Sequence, residues 1–157
     1  MRGKSKYKKL EIIPDPKYNS TLVAKFINQV MRHGKKAKAQ KIVYTAFESS
    51  EKKLKKPALD IFEQALENVG PVLEVRSRRI GGATYQVPME VKRNRKVTLA
   101  MRWIIEAARN KHSKSMGTFL TNELLDAYNN TGIAVGRKRD MIKLAEANRA
   151  FAHYARM

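Results

Sequence analysis

Apolar residues recur every three or four positions along most of this chain, and the breaks between the repeats mark where helices start and stop. After Asn19-Ser20-Thr21, residue types that cap helix N-termini, a stripe of Leu22, Val23, Phe26, Ile27, Val30 and Met31 runs to Gly34 and predicts a first helix. A second is predicted over 36–54, with Ile42, Val43, Ala46, Phe47 and Leu54 on one side. The third has Pro57 in its first turn, buries Leu59, Ile61, Phe62, Ala65, Leu66 and Val69, and stops at Gly70-Pro71. Val97, Met101, Ile104, Ile105 and Ala108 then predict a fourth helix. Met116, Phe119, Leu120, Leu124 and Tyr128 predict a fifth, which ends at Asn129-Asn130-Thr131-Gly132. A last helix is expected over 138–149 with Met141, Leu144 and Ala145 inward, followed by a tail, 150–157, that carries Phe151 and Tyr154.

Between the third and fourth helices the period falls from about 3.6 to 2, through Leu73, Val75, Ser77 and Arg79, then Gly81-Gly82, then Tyr85, Val87, Met89 and Val91. This pattern predicts a β-hairpin over 72–91. A two-residue Gly81-Gly82 loop would set Val75 opposite Pro88 and put the apolar residues of the two strands on opposite faces. A three-residue loop, Ile80-Gly81-Gly82, would set Leu73 opposite Met89 and Val75 opposite Val87, gathering them on one face; it is the expected register. Residues 1–18 lack a helical period and contain Pro14 and Pro16, so they read as an extended arm. No repeat or long linker divides the chain. The expected architecture is mainly α: a single domain, 1–157, of about six helices with a protruding two-stranded β-hairpin and an extended basic N-terminal arm.

Composition adds a partner to this picture. Hydrophobic residues make up 43% of the chain, enough for one core of ordinary domain size. Lys and Arg number 33 against 14 Asp and Glu, a net charge of +19, and a self-repelling excess of that size points to a polyanion that neutralises it. The cations are segregated. They crowd the arm, the first interhelical turn (Arg32, Lys35, Lys36, Lys38, Lys41), the hairpin (Arg76, Arg78, Arg79), the run 92–96, the loop 109–114 and the stretch 137–143. Two stretches, 57–75 and 115–136, contain none. A single cluster reads equally well as a solvated face; six clusters separated by acidic helices read as a nucleic-acid surface. The lysines at the start of the second helix oppose its macrodipole, so something other than helix stability keeps them there. The outer half of the hairpin, with Arg76, Arg78, Arg79, Thr84, Tyr85 and Gln86, has nothing to fill a core in the expected register, and its glycines let the tip approach a groove closely.

Catalytic and cofactor chemistry finds no footing. Cysteine is absent, which removes disulfide scaffolds and thiolate metal sites. His33, His112 and His153 are far apart, with no partner at metal-ligand or triad spacing, and read as surface or RNA-facing residues. Gly34-Lys35 lacks the first glycine of a phosphate loop and ends a helix rather than opening one. Glu63 and Glu67 lie one turn apart with no nucleophile, and Trp103 reads as core. No βαβ alternation is available to hold a nucleotide, so no cofactor, metal or small-molecule substrate is expected. The basic start resembles the charged part of a signal peptide, but Leu10-Glu11-Ile12-Ile13-Pro14-Asp15-Pro16 interrupts the apolar run that export needs. No stretch approaches the ~18 apolar residues of a membrane span. A soluble cytoplasmic protein without a membrane partner is expected.

Several stretches together carry a resemblance: Ile13-Pro14-Asp15-Pro16-Lys17; Leu66-Glu67-Asn68-Val69 with Pro71; Glu74-Val75-Arg76-Ser77-Arg78-Arg79 with Gly81-Gly82; and Thr84-Tyr85-Gln86-Val87-Pro88. Ala100-Met101-Arg102-Trp103-Ile104, Lys114-Ser115-Met116 and Ala145 to Tyr154 extend it over nearly the whole chain. The chain closely resembles the bacterial small ribosomal subunit protein seven family. The resemblance implies a non-enzymatic protein that binds the 3′ major domain of small-subunit ribosomal RNA and nucleates assembly of the subunit head. It further implies a place at the subunit interface near the decoding centre, with the hairpin beside messenger RNA and exit-site transfer RNA and small-subunit ribosomal proteins nine and eleven as neighbours. By position it makes RNA contacts of Arg2, Lys4, Lys6, Lys8 and Lys9 in the arm, Lys35 and Lys36, and Arg76, Arg78, Arg79, Gly81 and Gly82 in the hairpin. The implied set continues with Lys92, Arg93, Arg95, Lys96, Arg102, Arg109, Lys111, Lys114, Ser115, Arg137, Lys138, Lys143, Asn148 and Arg149. Gly136, Arg139 and Ile142 depart from the residues usual in that family. Without the resemblance, the main alternative is a DNA-bending architectural protein with a basic β-arm. Such arms carry an apolar or proline wedge near the tip, whereas here the tip is Gly81-Gly82. An RNA-modifying enzyme would need a base or cofactor pocket that the sequence does not offer.

Overall fold

Three phenylalanines one helix apart, Phe26, Phe47 and Phe62, form the centre around which the chain closes, their ring centroids 4.9–6.4 Å from one another. The computed structural model describes residues 11–155 apart from Lys114. It runs α1 (Thr21–Val30), α2 (Lys36–Leu54), α3 (Ala58–Val69), β1 (Leu73–Ile80), β2 (Ala83–Glu90), α4 (Arg93–Arg109), α5 (Met116–Tyr128) and α6 (Gly132–Ala147), and closes with a 3-10 helix, Arg149–Ala155. The apolar stripes of α1 to α5 do what their spacing predicts: Val23, Ile27, Val43, Ile61, Leu66, Ile104, Leu120 and Leu124 are buried, and so is Trp103. All six α-helices contribute to the one core.

The hairpin adopts the register that one-sided packing argued against. Ile80 pairs with Ala83, Val75 with Pro88 and Leu73 with Glu90, so Gly81-Gly82 is a two-residue loop. Both glycines have positive φ, +56° and +87°, as the I′ turn requires, and that turn matches the natural twist of the strands. The expectation failed because the base of the ribbon is covered on both faces: Val87 and Pro88, neighbours that point opposite ways, are both buried. The ribbon is therefore not required to gather its apolar residues on one side.

Other boundaries move too. The basic run 92–96, expected to precede the fourth helix, forms the cap and first turn of α4. The last helix begins at Gly132, six residues before the expected 138, and Leu144 is 48% exposed rather than inward. The early start depends on Glu123, a fully buried carboxylate on α5 that accepts from the backbone N–H of Ala134 at 2.8 Å. The side chain of Thr131 caps nothing at this end, so Glu123 supplies from another helix what an N-cap residue normally supplies from its own. Gly132 permits that approach: its φ is +89°, and a Cβ there would lie 2.8 Å from Asp126 Cβ and 3.1 Å from Glu123 Oε1.

The two ends of the described chain are bound down as well. Asp15 is buried; its carboxylate accepts from the backbone N–H of Lys17 and Tyr18, both at 3.1 Å, and from the Tyr44 hydroxyl at 2.7 Å. Burial and this bond to Asp15 push the Tyr44 phenol up to about 12, so it is protonated and donating at neutral pH. Tyr18 packs edge-on against Tyr44 and Phe47. The expected extended arm thus ends at about residue 15 in a bracket on α2, and its basic residues Arg2, Lys4, Lys6, Lys8 and Lys9 lie outside the described residues. At the other end, the expected tail folds back over the ribbon. Phe151 and Tyr154 pack against Tyr85 at centroid distances of 5.3 and 5.2 Å, and Arg78 donates to the Tyr154 carbonyl at 3.0 Å. The outer ribbon was expected to have no core to fill; Tyr85 and Arg78 in fact cement it to the C-terminal 3-10 helix.

Candidate nucleic-acid interface

Four helices carry a side-chain acceptor or an acidic residue at their N-termini. Ser20 and Ser115 cap α1 and α5 through their own hydroxyls, α3 starts after Pro57 with Asp60 in its first turn, and Glu123 serves α6. Helices α2 and α4 are built differently. Their N-cap residues are Lys35 and Lys92, neither side chain makes a capping bond, and no acidic residue stands in either first turn. Lys36 and Lys38 follow in α2, and Arg93, Arg95 and Lys96 in α4. Each such cation sits at the positive end of a helix dipole, an arrangement that costs roughly 0.3–1 kcal/mol per charge in the isolated protein. Open backbone N–H groups, the dipole and the side-chain charges all favour an anion at these two ends.

Folding merges the linear clusters. The turn after α1 and the loop after α4 line one open cleft of about 730 Å³, which gathers Arg32, His33, Lys35, Lys38, Arg109, Lys111 and His112 above Ala39, Ile42 and Phe119. Arg109 is half-buried and donates to the Val30 carbonyl at 3.0 Å; burial, with Arg32 nearby, lowers its pKa from the usual arginine value. Lys111 reaches the second oxygen of Glu123 at 3.4 Å, so the carboxylate that starts α6 also fixes one wall of this cleft. Arg32, Lys38, His33 and His112 were not in the implied contact set. Nothing in their spacing announces that the two segments meet.

A second merger occurs at the base of the ribbon. Glu74 joins Arg76 of β1 to Arg95 of α4. The Lys96 stem lies across Gly70, with Nζ 4.0 Å from Glu67. Lys138 of α6 donates to the Asn68 carbonyl at 2.8 Å; burial, then the nearby Lys96 and Arg139, lowers its pKa. Asn68 itself ties α3 to the end of α5 through the carbonyls of Ala127 and Tyr128. Arg137 pairs with Glu106.

The residues implied as contacts therefore divide. Arg76, Arg78, Arg95, Lys96, Arg109, Lys111, Arg137 and Lys138 hold protein groups as well as facing outward; Ser115 is a helix cap, and Asn148 bonds the Leu144 carbonyl within its own helix. Lys35, Lys36, Arg79, Lys92, Arg93, Arg102, Lys143 and Arg149 are exposed, and their side chains have no hydrogen-bond or ion-pair partner among the described residues. Gly81 and Gly82 form the open tip, with nothing within 4 Å of where a side chain would start. Lys114 lies outside the described residues.

Comparison with known proteins gives this surface its family. Residues 1–149 match the family described as ribosomal protein S7p/S5e. The chain belongs to that family. It is 59% identical over 143 residues to the small ribosomal subunit protein uS7 of Roseiflexus sp. (strain RS-1), covering 91% of each chain. The like-named proteins of Thermotoga neapolitana and Chloroflexus aggregans are 59% and 58% identical, with 92% and 93% of this chain and 93% of each relative covered. As a ribosomal protein of this family it is a structural, non-enzymatic component. Among the described residues, no helix is long and apolar enough to cross a membrane. Membership assigns it to the small ribosomal subunit, which in bacteria is cytoplasmic.

Proposed function

We propose that this ribosomal protein binds the 3′ major domain of small-subunit ribosomal RNA directly and nucleates assembly of the subunit head. The observation that carries the reading is the pair of cation-loaded N-termini on α2 and α4, where Lys35, Lys36, Lys92 and Arg93 have no carboxylate partner among the described residues and an external polyanion would relieve them. The cleft between the α1–α2 turn and the α4–α5 loop takes one stretch of RNA backbone, and the face around the base of the ribbon takes another. The ribbon tip, with Arg79 and the open glycines, stands beside messenger RNA and exit-site transfer RNA at the subunit interface near the decoding centre, and small-subunit proteins nine and eleven are the protein neighbours. Phosphate contacts of this kind set position; the RNA fold supplies specificity, because A-form helices are recognised mainly by shape.

Binding to a 3′ major domain fragment and to a bent duplex DNA of equal length tests the reading. At 150 mM salt the RNA is expected to bind at least about 10³-fold tighter, the lower end of the usual span between specific and non-specific complexes. Equal affinity for the DNA would replace this reading with that of an architectural DNA binder.

A further inference from the structure

Glu74 is an anomaly on a surface built for a polyanion. Its side chain is 8% exposed in a chain of net charge +19 and lies on β1 at the foot of the ribbon. One carboxylate oxygen accepts from Arg76 Nε at 2.7 Å and also meets Arg76 Nη2; the other accepts from Arg95 Nε at 3.2 Å. The two guanidiniums come from elements far apart in sequence, the ribbon and the first turn of α4. Without an anion between them they would repel, and each long side chain would scatter over its rotamers. With Glu74 in place both stay held on one side while remaining 54% and 40% exposed. An arginine carries five N–H donors, so groups on each remain for a second acceptor.

We propose that Glu74 is a positioning residue that holds Arg76 and Arg95 as one preformed, paired phosphate-binding edge joining the ribbon to α4. This rests on the RNA-binding reading above. The carboxylate cancels one unit of favourable charge, and in exchange two guanidiniums reach the phosphate already ordered, which removes much of the entropy cost of binding. It also fixes the angle of the ribbon relative to α4, since a single side chain bonds both.

Glu74→Gln separates this role from plain electrostatics by the sign of its effect. Charge alone predicts tighter RNA binding, because a negative group leaves the surface. Positioning predicts binding on the order of tenfold weaker. It also predicts a slope of log affinity against log salt shallower by about 1–2, as the two arginines cease to engage phosphates reliably. Glu74→Asp, which keeps the charge, is expected to restore most of the slope. In an Arg76→Ala, Arg95→Ala background Glu74→Gln should no longer weaken binding, whereas a general loss of folding would weaken it in any background. Glu74→Gln binding as tightly as the parent with an unchanged slope overturns the proposal, as does a full effect in the double-alanine background. If the parent protein fails to prefer the ribosomal fragment over duplex DNA, the RNA reading itself falls and the pairing of Arg76 and Arg95 loses its purpose.

Discussion

Raising salt from 50 to 200 mM is expected to weaken binding to a 3′ major domain fragment by about 10³–10⁵-fold. The magnitude follows from the candidate contacts left without protein partners. Lys35, Lys36, Arg79, Lys92, Arg93, Arg102, Lys143 and Arg149 are exposed and uncommitted among the described residues, a number within the range of ~6–10 phosphate contacts. Each contact releases condensed counterions, so log affinity should fall against log salt with a slope of about −4 to −9. Titrations at several salt concentrations measure it. A slope shallower than about −3 would mean that most of these cations face solvent in the complex as they do in the free protein.

Replacing Glu123 by Ala is expected to lower stability by about 2–4 kcal/mol, and the melting temperature by roughly 5–15 °C. Two losses combine. The N-terminus of α6 loses its only side-chain acceptor among the described residues, worth roughly 0.5–2 kcal/mol. Lys111 also loses its buried partner, although that lysine remains about one-third exposed and water makes up part of the difference. Glu123→Gln keeps an acceptor for Ala134 and should recover more than half of the melting temperature. Thermal unfolding followed by circular dichroism distinguishes the variants. An alanine variant that melts within about 2 °C of the parent would show that α6 starts at Gly132 for some other reason. Because Glu123 also braces Lys111, the alanine variant should lose RNA affinity as well, and more than Glu123→Gln does.

The helical part of this fold was legible because each stripe answers to one core. The spacing of Val23, Phe26, Ile27 and Val30, or of Ile61, Phe62, Ala65 and Leu66, allows a single buried face, and ends are marked by Ser20, Pro57 and Gly70, although α1 stops at Val30 with Met31 as its C-cap, short of the expected Gly34. What escaped the pattern depends on contacts distant in sequence. The early start of α6 needs Glu123 from another helix. The hairpin register needs cover on both faces, which strand alternation alone does not reveal. The C-terminal 3-10 helix is held by Tyr85 and Arg78, residues that looked free for RNA.

The candidate site shows the same split. Clustering of Lys and Arg correctly marked where charge gathers, but it could not divide one arginine from the next. Arg76, Arg78 and Arg79 read alike along the chain. In the folded protein Arg76 holds Glu74 and Arg78 holds the C-terminal backbone, while Arg79 sits on the opposite face of the ribbon beside Thr84 with no protein partner among the described residues. Nor could linear order show that the turn at Lys35 and the loop at Lys111 face each other across one cleft.

The central claim is that separate cation clusters, brought together by folding, grip one RNA at several places. Hydroxyl-radical footprinting of the 3′ major domain bound to the full chain tests it most directly. The expected result is protection of at least three segments separated in the RNA sequence, with Arg79→Ala losing the protection at the ribbon tip and leaving those at the α2 and α4 N-termini intact. Protection of a single contiguous segment, or uniform fading of every segment in the Arg79 variant, would contradict it.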